Sequence, residues 1–96
     1  MRPSEVLPLH RVTIRLLVSQ AGMANPRVFG SVVRGEDNEE SDLDILGDPG
    51  PGTSLLTMVR VQDELAKTMG VKVDLRTPGD LHPRFRDKAL AEAAAL

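Results

Sequence analysis

The sequence predicts an α/β (α+β) domain with a small mixed sheet of about three strands flanked by helices. Three observations carry that expectation. Apolar residues recur with period two at Asp42–Leu46 and Val71–Arg76, the pattern of half-buried strands. Helical periodicity occupies the segments around 8–20, 53–69 and 80–94. Glycine and proline fall between those segments rather than within them.

The first helix is expected from Pro8 to Gln20, with Leu9, Val12, Leu16 and Leu17 on one face, Pro8 in the first turn and Gly22 as the stop. Arg27-Val28-Phe29 is short and β-prone, and it runs directly into Gly30-Ser31 and a short helical turn. After an acidic stretch, Asp42-Leu43-Asp44-Ile45-Leu46 alternates as a strand, and residues 47–52 read as a Gly/Pro loop. Thr53 or Ser54 then caps a helix reaching Met69, with Leu55, Val59, Leu65 and Met69 as core candidates. Gly70 ends it. Val71, Val73 and Leu75 alternate with polar residues in a third strand, and Asp80 or His82-Pro83 opens a last helix to about Ala94.

Composition narrows the class. With 96 residues the chain has room for one domain, spanning 1–96. A chain of this size hides roughly 60–65% of its unfolded surface, so its core is thin. That core draws on aliphatic residues, because Phe29 and Phe85 are the only aromatics and there is no Trp or Tyr. The absence of cysteine excludes disulfides and thiolate metal sites. No apolar run approaches the ~20 residues that span a bilayer, and no secretory leader is visible. The net charge of −2 argues against a dedicated nucleic-acid binder. The expectation is a cytoplasmic protein with no membrane and no direct nucleic-acid partner.

The chemistry is concentrated in Gly30-Ser31-Val32-Val33-Arg34-Gly35 and Ser41-Asp42-Leu43-Asp44. A strand that ends in Gly-Ser and turns into a helix presents free N–H groups to phosphate oxygens, and the Ser31 hydroxyl can add a hydrogen bond. Asp42 and Asp44 lie two residues apart on a strand and share a face, opposite Leu43 and Ile45. Asp74 occupies the solvent-side register of the third strand. If the strands are neighbours, the three carboxylates converge. Two like charges ~6–7 Å apart repel by roughly 2–3 kcal/mol at an effective dielectric of ~20. A cation relieves that repulsion, and hard oxygen donors select Mg²⁺ or Mn²⁺. A bare Asp-x-Asp is more often a pair of ordinary surface acids; its combination with the phosphate-ready turn and a lone later Asp points to metal-assisted phosphoryl chemistry.

Gly30-Ser31, ten residues and Asp42-Leu43-Asp44 resemble the Gly-Ser…Asp-x-Asp motif of the DNA polymerase β-like nucleotidyltransferases. The fuller text, with Phe29 before it and Ile45 after it, is similar to the minimal nucleotidyltransferase branch. Val71-Lys72-Val73-Asp74-Leu75 stands where that branch keeps a third carboxylate. Many members of the branch are antitoxins paired with a HEPN-type ribonuclease toxin. The resemblance implies the minimal polymerase β-like fold and transfer of AMP from ATP to a tyrosine of the toxin, within a hetero-oligomer. Gly30 and Ser31 would hold the terminal phosphates, Asp42 and Asp44 would ligate two Mg²⁺ ions, and Asp74 would complete the metal site and take the acceptor proton. Val33 and Arg76 depart from the usual pattern without touching those roles. The alternative is an antitoxin that neutralises its toxin by binding alone. Modification of a small molecule such as an antibiotic is a third reading, and it generally needs a further substrate-holding domain.

Other residues carry weaker signals. Arg34 suits either a phosphate or a salt bridge to a clustered acid. Glu36, Asp37, Glu39 and Glu40 read as a solvated turn. Lys72 and Arg76 flank Asp74 and suit charge compensation. His10 and His82 read as surface or capping residues, and Arg84 and Arg86 as a solvated helix face. The thin core suggests that apolar surface on the outer helices is covered by a partner. With no tyrosine of its own, the chain cannot be a tyrosine acceptor.

Overall fold

A computed structural model, describing residues 1–96, runs α1 (Pro3–Val6), α2 (Arg11–Gln20), β1 (Met23–Phe29), α3 (Ser31–Arg34), β2 (Leu43–Pro49), α4 (Leu55–Met69), β3 (Val73–Arg76), α5 (Pro83–Glu92) and β4 (Ala94–Ala95). Single 3₁₀ turns at Leu7–Leu9 and Pro78–Asp80 precede α2 and α5. The sheet order is β3-β2-β1-β4; β2 and β3 are parallel, and β1 is antiparallel to both β2 and β4. No helix is long and apolar enough to cross a membrane.

The expected strands are present, but two are longer than the sequence suggests. β1 begins at Met23, because the Asn25-Pro26 pair is absorbed by a register shift between Ala24 and Arg27. Asn25 takes a positive φ of 54° there, and a bulge is where a sheet tolerates proline. β2 continues through Gly47-Asp48-Pro49, which the sequence assigns to a loop. At Gly47 a β-carbon would come within 2.8 Å of the Met23 Cε, so the glycine allows the strand to pass that side chain. The last helix stops at Glu92, and Ala94–Ala95 pair with Val28 and Arg27 as a short fourth strand where helix was expected.

The two long helices form where periodicity places them, with rotated faces. Pro8 belongs to the 3₁₀ turn, so α2 starts at Arg11 and buries Ile14, Leu17 and Val18, with Ala21 just beyond its end. Leu9, Val12 and Leu16 are exposed, contrary to expectation. In α4, Ser54 accepts the Thr57 N–H at 3.1 Å and Gly70 closes the helix at φ 69°. The buried stripe is Met58, Val61, Leu65 and Met69, whereas Leu55 and Val59 face outward. In both helices one stripe at i, i+3, i+7 spacing meets the sheet, and the competing stripe is left in solvent.

The sheet has two unlike faces. Val28, Leu43, Ile45, Val73 and Leu75 pack with α2 and α4 in a core of 16 buried residues. The opposite face carries a second, four-residue cluster of Phe29, Leu46, Leu81 and Ala89. Asp44 and Asp74 belong to that less covered face, because each follows an inward-facing residue by one position along its strand.

Candidate active site

Strand register builds the site. Phe29 on β1 is opposite Asp44 on β2, and Asp44 is opposite Asp74 on β3, so one row crosses three strands. Gly30 follows Phe29 at the end of that row, with φ 75° and ψ −148°, a conformation that L side chains rarely adopt. A β-carbon on Gly30 would overlap the Asp44 carboxylate and stand 3.3 Å from its Cγ. Glycine is therefore needed twice, for its backbone angles and for the approach of Asp44. Ser31 opens α3, whose first N–H groups lack acceptors within the helix.

Asp44 is half-buried, Asp42 is exposed just before β2, and Asp74 is half-buried on β3. Burial, then the Asp74 and Asp42 carboxylates, push the Asp44 carboxyl up from 3.8 to about 6, against opposing pulls from Arg76 and Arg34. All three acids thus share one electrostatic neighbourhood. The fold does not draw three carboxylates or imidazoles tightly enough together to cage an ion. Like charges repel, and Asp74 satisfies itself on Arg76 Nε at 2.9 Å. Such an open set of hard oxygen donors fits Mg²⁺, which keeps several waters and takes one or two carboxylates plus substrate phosphates rather than a full protein cage. The charge compensation expected of Arg76 is present, and it accounts for the basic residue at that position.

Arg34 does not pair with the clustered aspartates. Its guanidinium holds Glu36 at 3.1 Å and Glu92 of α5 at 2.8 Å. Asp37 departs from the expected solvated turn: only 6% exposed, it accepts the Ser4 N–H at 2.9 Å. Burial opposes its charge, yet the hydrogen bonds from Ser4 outweigh that and hold its carboxyl below the ordinary range. His82 caps α5, accepting the Arg84 N–H at 3.1 Å on Nδ1. Arg86 is not free on the helix surface; it donates to the carbonyls of Pro78 at 2.9 Å and Leu81 at 3.0 Å. Nothing in the local sequence signals the Arg34–Glu92 pair, which joins residues 58 positions apart.

A family model described as the nucleotidyltransferase domain matches residues 14–96, which include every residue of this row. The chain belongs to the nucleotidyltransferase domain family. Among the relatives of this nucleotidyltransferase is the protein adenylyltransferase MntA of Thermococcus cleftensis, 39% identical over 87 residues, covering 91% of this chain and 85% of that one. A Methanocaldococcus jannaschii protein, likewise assigned by name to the protein adenylyltransferases, is 43% identical over 72 residues, 75% of this chain and 77% of that one. A solved structure bearing the name of a minimal nucleotidyltransferase superposes with a TM-score of 0.85 at 40% identity, over 97% of this chain and 95% of that one. The nucleotidyltransferase fold is shared with a toxin–antitoxin crystal structure containing AMP-PNP, at a TM-score of 0.73 and 17% identity, over 88% of this chain and 69% of that one.

Proposed function

We propose that this nucleotidyltransferase is an antitoxin that transfers AMP from ATP to a tyrosine hydroxyl of a partner HEPN-type ribonuclease toxin in the cytoplasm. The observation that carries this reading is the row Gly30–Asp44–Asp74, which places a phosphate-ready turn beside paired carboxylates. The names of its relatives supply the acyl-free, AMP-transferring chemistry, and the toxin–antitoxin neighbour supports a toxin as the acceptor. The domain is taken as 1–96.

In this reading Gly30 and Ser31 hold the terminal phosphates through the N–H groups at the start of α3, and Arg34 contributes positive charge from its end. Asp42 and Asp44 would hold two Mg²⁺ ions, with Asp74 completing the set. The metal supplies charge stabilisation at the attacking and leaving oxygens of an in-line displacement. The acceptor oxygen bonds to the α-phosphorus, the bond to the β-phosphate oxygen breaks, and pyrophosphate departs. Asp74 takes the proton of the acceptor hydroxyl. A partner surface is available on α2 and α4, where Val12, Leu16, Leu55 and Leu56 are exposed.

Incubation with α-labelled ATP, Mg²⁺ and the product of the neighbouring gene tests the reading. Label is expected on the partner with the wild-type chain and not with Asp42→Asn or Asp44→Asn. A partner neutralised equally well by both variants, and carrying no label, would replace transfer by simple covering.

A further inference from the structure

Both aromatic rings of the chain, Phe29 and Phe85, line one cleft of about 500 Å³ that opens beside Gly30. Its volume lies within the roughly 300–1,000 Å³ of small-molecule sites. Gly30 is a wall of the cleft and also the residue against which the Asp44 carboxylate packs, so the cleft and the carboxylate row meet at one residue. A nucleotide held by its phosphates at Gly30 therefore has an end that reaches the cleft.

Charge decides which end. Arg34 is tied to Glu36 and Glu92, so its charge is already met inside the cleft, and Lys88 is the other cation on the walls. The four charges cancel. A polyphosphate tail would meet two carboxylates there, whereas an uncharged base meets none of that repulsion. Phe85 is 61% exposed on α5, and its ring lies 5.8 Å from the His82 imidazole, which steadies it from one side. The Lys88 ammonium can donate to a ring nitrogen or carbonyl of a base, and a wall carboxylate can accept from an exocyclic amine.

We propose that this cleft seats the purine base of the nucleotide whose phosphates lie at Gly30 and Ser31, with Phe85 as the stacking ring. The inference rests on the nucleotidyltransfer reading and adds to it a base-recognition site shared by β1, α3 and α5. Stacking on an aromatic side chain contributes enough that its removal weakens binding roughly 10-fold or more.

The test compares Mg·ATP with inorganic tripolyphosphate on the full chain. Phe85→Ala is expected to weaken ATP binding about 10-fold while leaving tripolyphosphate binding unchanged. Because the chain contains no tryptophan, Phe85→Trp gives a single fluorophore. Its emission is expected to change on addition of ATP and not of tripolyphosphate, with ATP affinity retained. Phe85 is exposed, so both variants are expected to keep the wild-type far-UV circular dichroism; a variant that loses it leaves the other to decide. If wild-type chain binds both ligands and Phe85→Ala weakens neither, the base lies elsewhere and only this inference fails. If Phe85→Ala retains ATP affinity but loses labelling of the protein partner, the cleft receives the partner and the inference is likewise overturned. A wild-type chain that binds neither ligand removes the phosphate site and this inference together.

Discussion

The Asp44 carboxylate packs against Gly30 so closely that no side chain could stand between the two residues. That contact binds the phosphate turn to the carboxylate row, and it predicts the outcome of Gly30→Ala. The backbone at φ 75° and ψ −148° is costly for any L side chain, on the order of 1–3 kcal/mol. Displacement of Asp44 adds to that cost and moves a group on which transfer depends; a 1 Å misplacement can cost about 100-fold in rate. Gly30→Ala is expected to lower the unfolding midpoint and reduce transfer by about that factor. In a double-mutant cycle with Asp44→Ala, the overlap is relieved while the backbone strain remains, so the paired stability losses should be less than additive. Strict additivity would mean that the two residues do not touch.

Asp44 gives a pH signature of opposite sign to the usual acidic residue. Its folded-state value of about 6 lies above the ordinary 3.8, so the folded chain binds the proton more tightly than the unfolded chain does. Above about pH 6 the ionised group is destabilising; as pH falls towards 3.8 the penalty disappears. Asp44→Asn should therefore stabilise the metal-free protein at pH 7–8 by about 1 kcal/mol, after allowance for solvent reaching a half-exposed group. Thermal melts should show an increase of roughly 4–8 °C. The gain should shrink between pH 6 and pH 4, while transfer is lost throughout. A gain independent of pH would assign the effect to packing instead.

The sequence makes the site more legible than the packing around it. Asp42, Asp44 and Asp74 are readable because alternation in β2 and β3 fixes which side chains share a face, and the parallel pairing then puts Asp44 beside Asp74. Helix faces are less determined. In α2 both the Val12–Leu16 stripe and the Ile14–Val18 stripe are apolar, and the choice depends on where the sheet lies, which no local pattern records. Strand length is hidden for a similar reason. Asn25-Pro26 and Gly47 read as breaks, yet a bulge and a close pass over Met23 keep both in the sheet. Arg34 and Glu92 meet only because α5 returns across β1, so their pairing has no sequence signal.

Asp37 supports the fold rather than the chemistry. It is buried and accepts the Ser4 N–H, tying the start of α1 to the segment before β2. Removing a charged acceptor from such a site leaves the N–H unmet, so Asp37→Ala should cost about 1–3 kcal/mol. Asp37→Asn keeps an acceptor and should cost less. Since the folded-state value is depressed, this stabilisation is present above the ordinary carboxylate range and is lost as pH falls through the folded value. Urea titrations at pH 7 and pH 3 check the point: the gap between wild type and Asp37→Ala should be widest at pH 7. Activity per folded molecule should be unchanged.

The exposed stripes on α2 and α4 separate folding from assembly. Leu65 on α4 is fully buried, and Leu65→Ala should cost 2–5 kcal/mol through the lost transfer energy and the cavity left behind. Val12, Leu16 and Leu55 project into solvent on helices that pack against each other, so changes there should alter stability by less than about 0.5 kcal/mol. Placing charge in this apolar surface has a different consequence if a partner covers it. Leu16→Glu combined with Leu55→Glu should leave the melting curve near that of wild type and weaken the toxin complex by at least 100-fold, since each buried glutamate would lose its hydration. Calorimetric titration of the purified partner measures this directly. Unchanged affinity would place the docking surface on another face, with the carboxylate site and its chemistry unaffected.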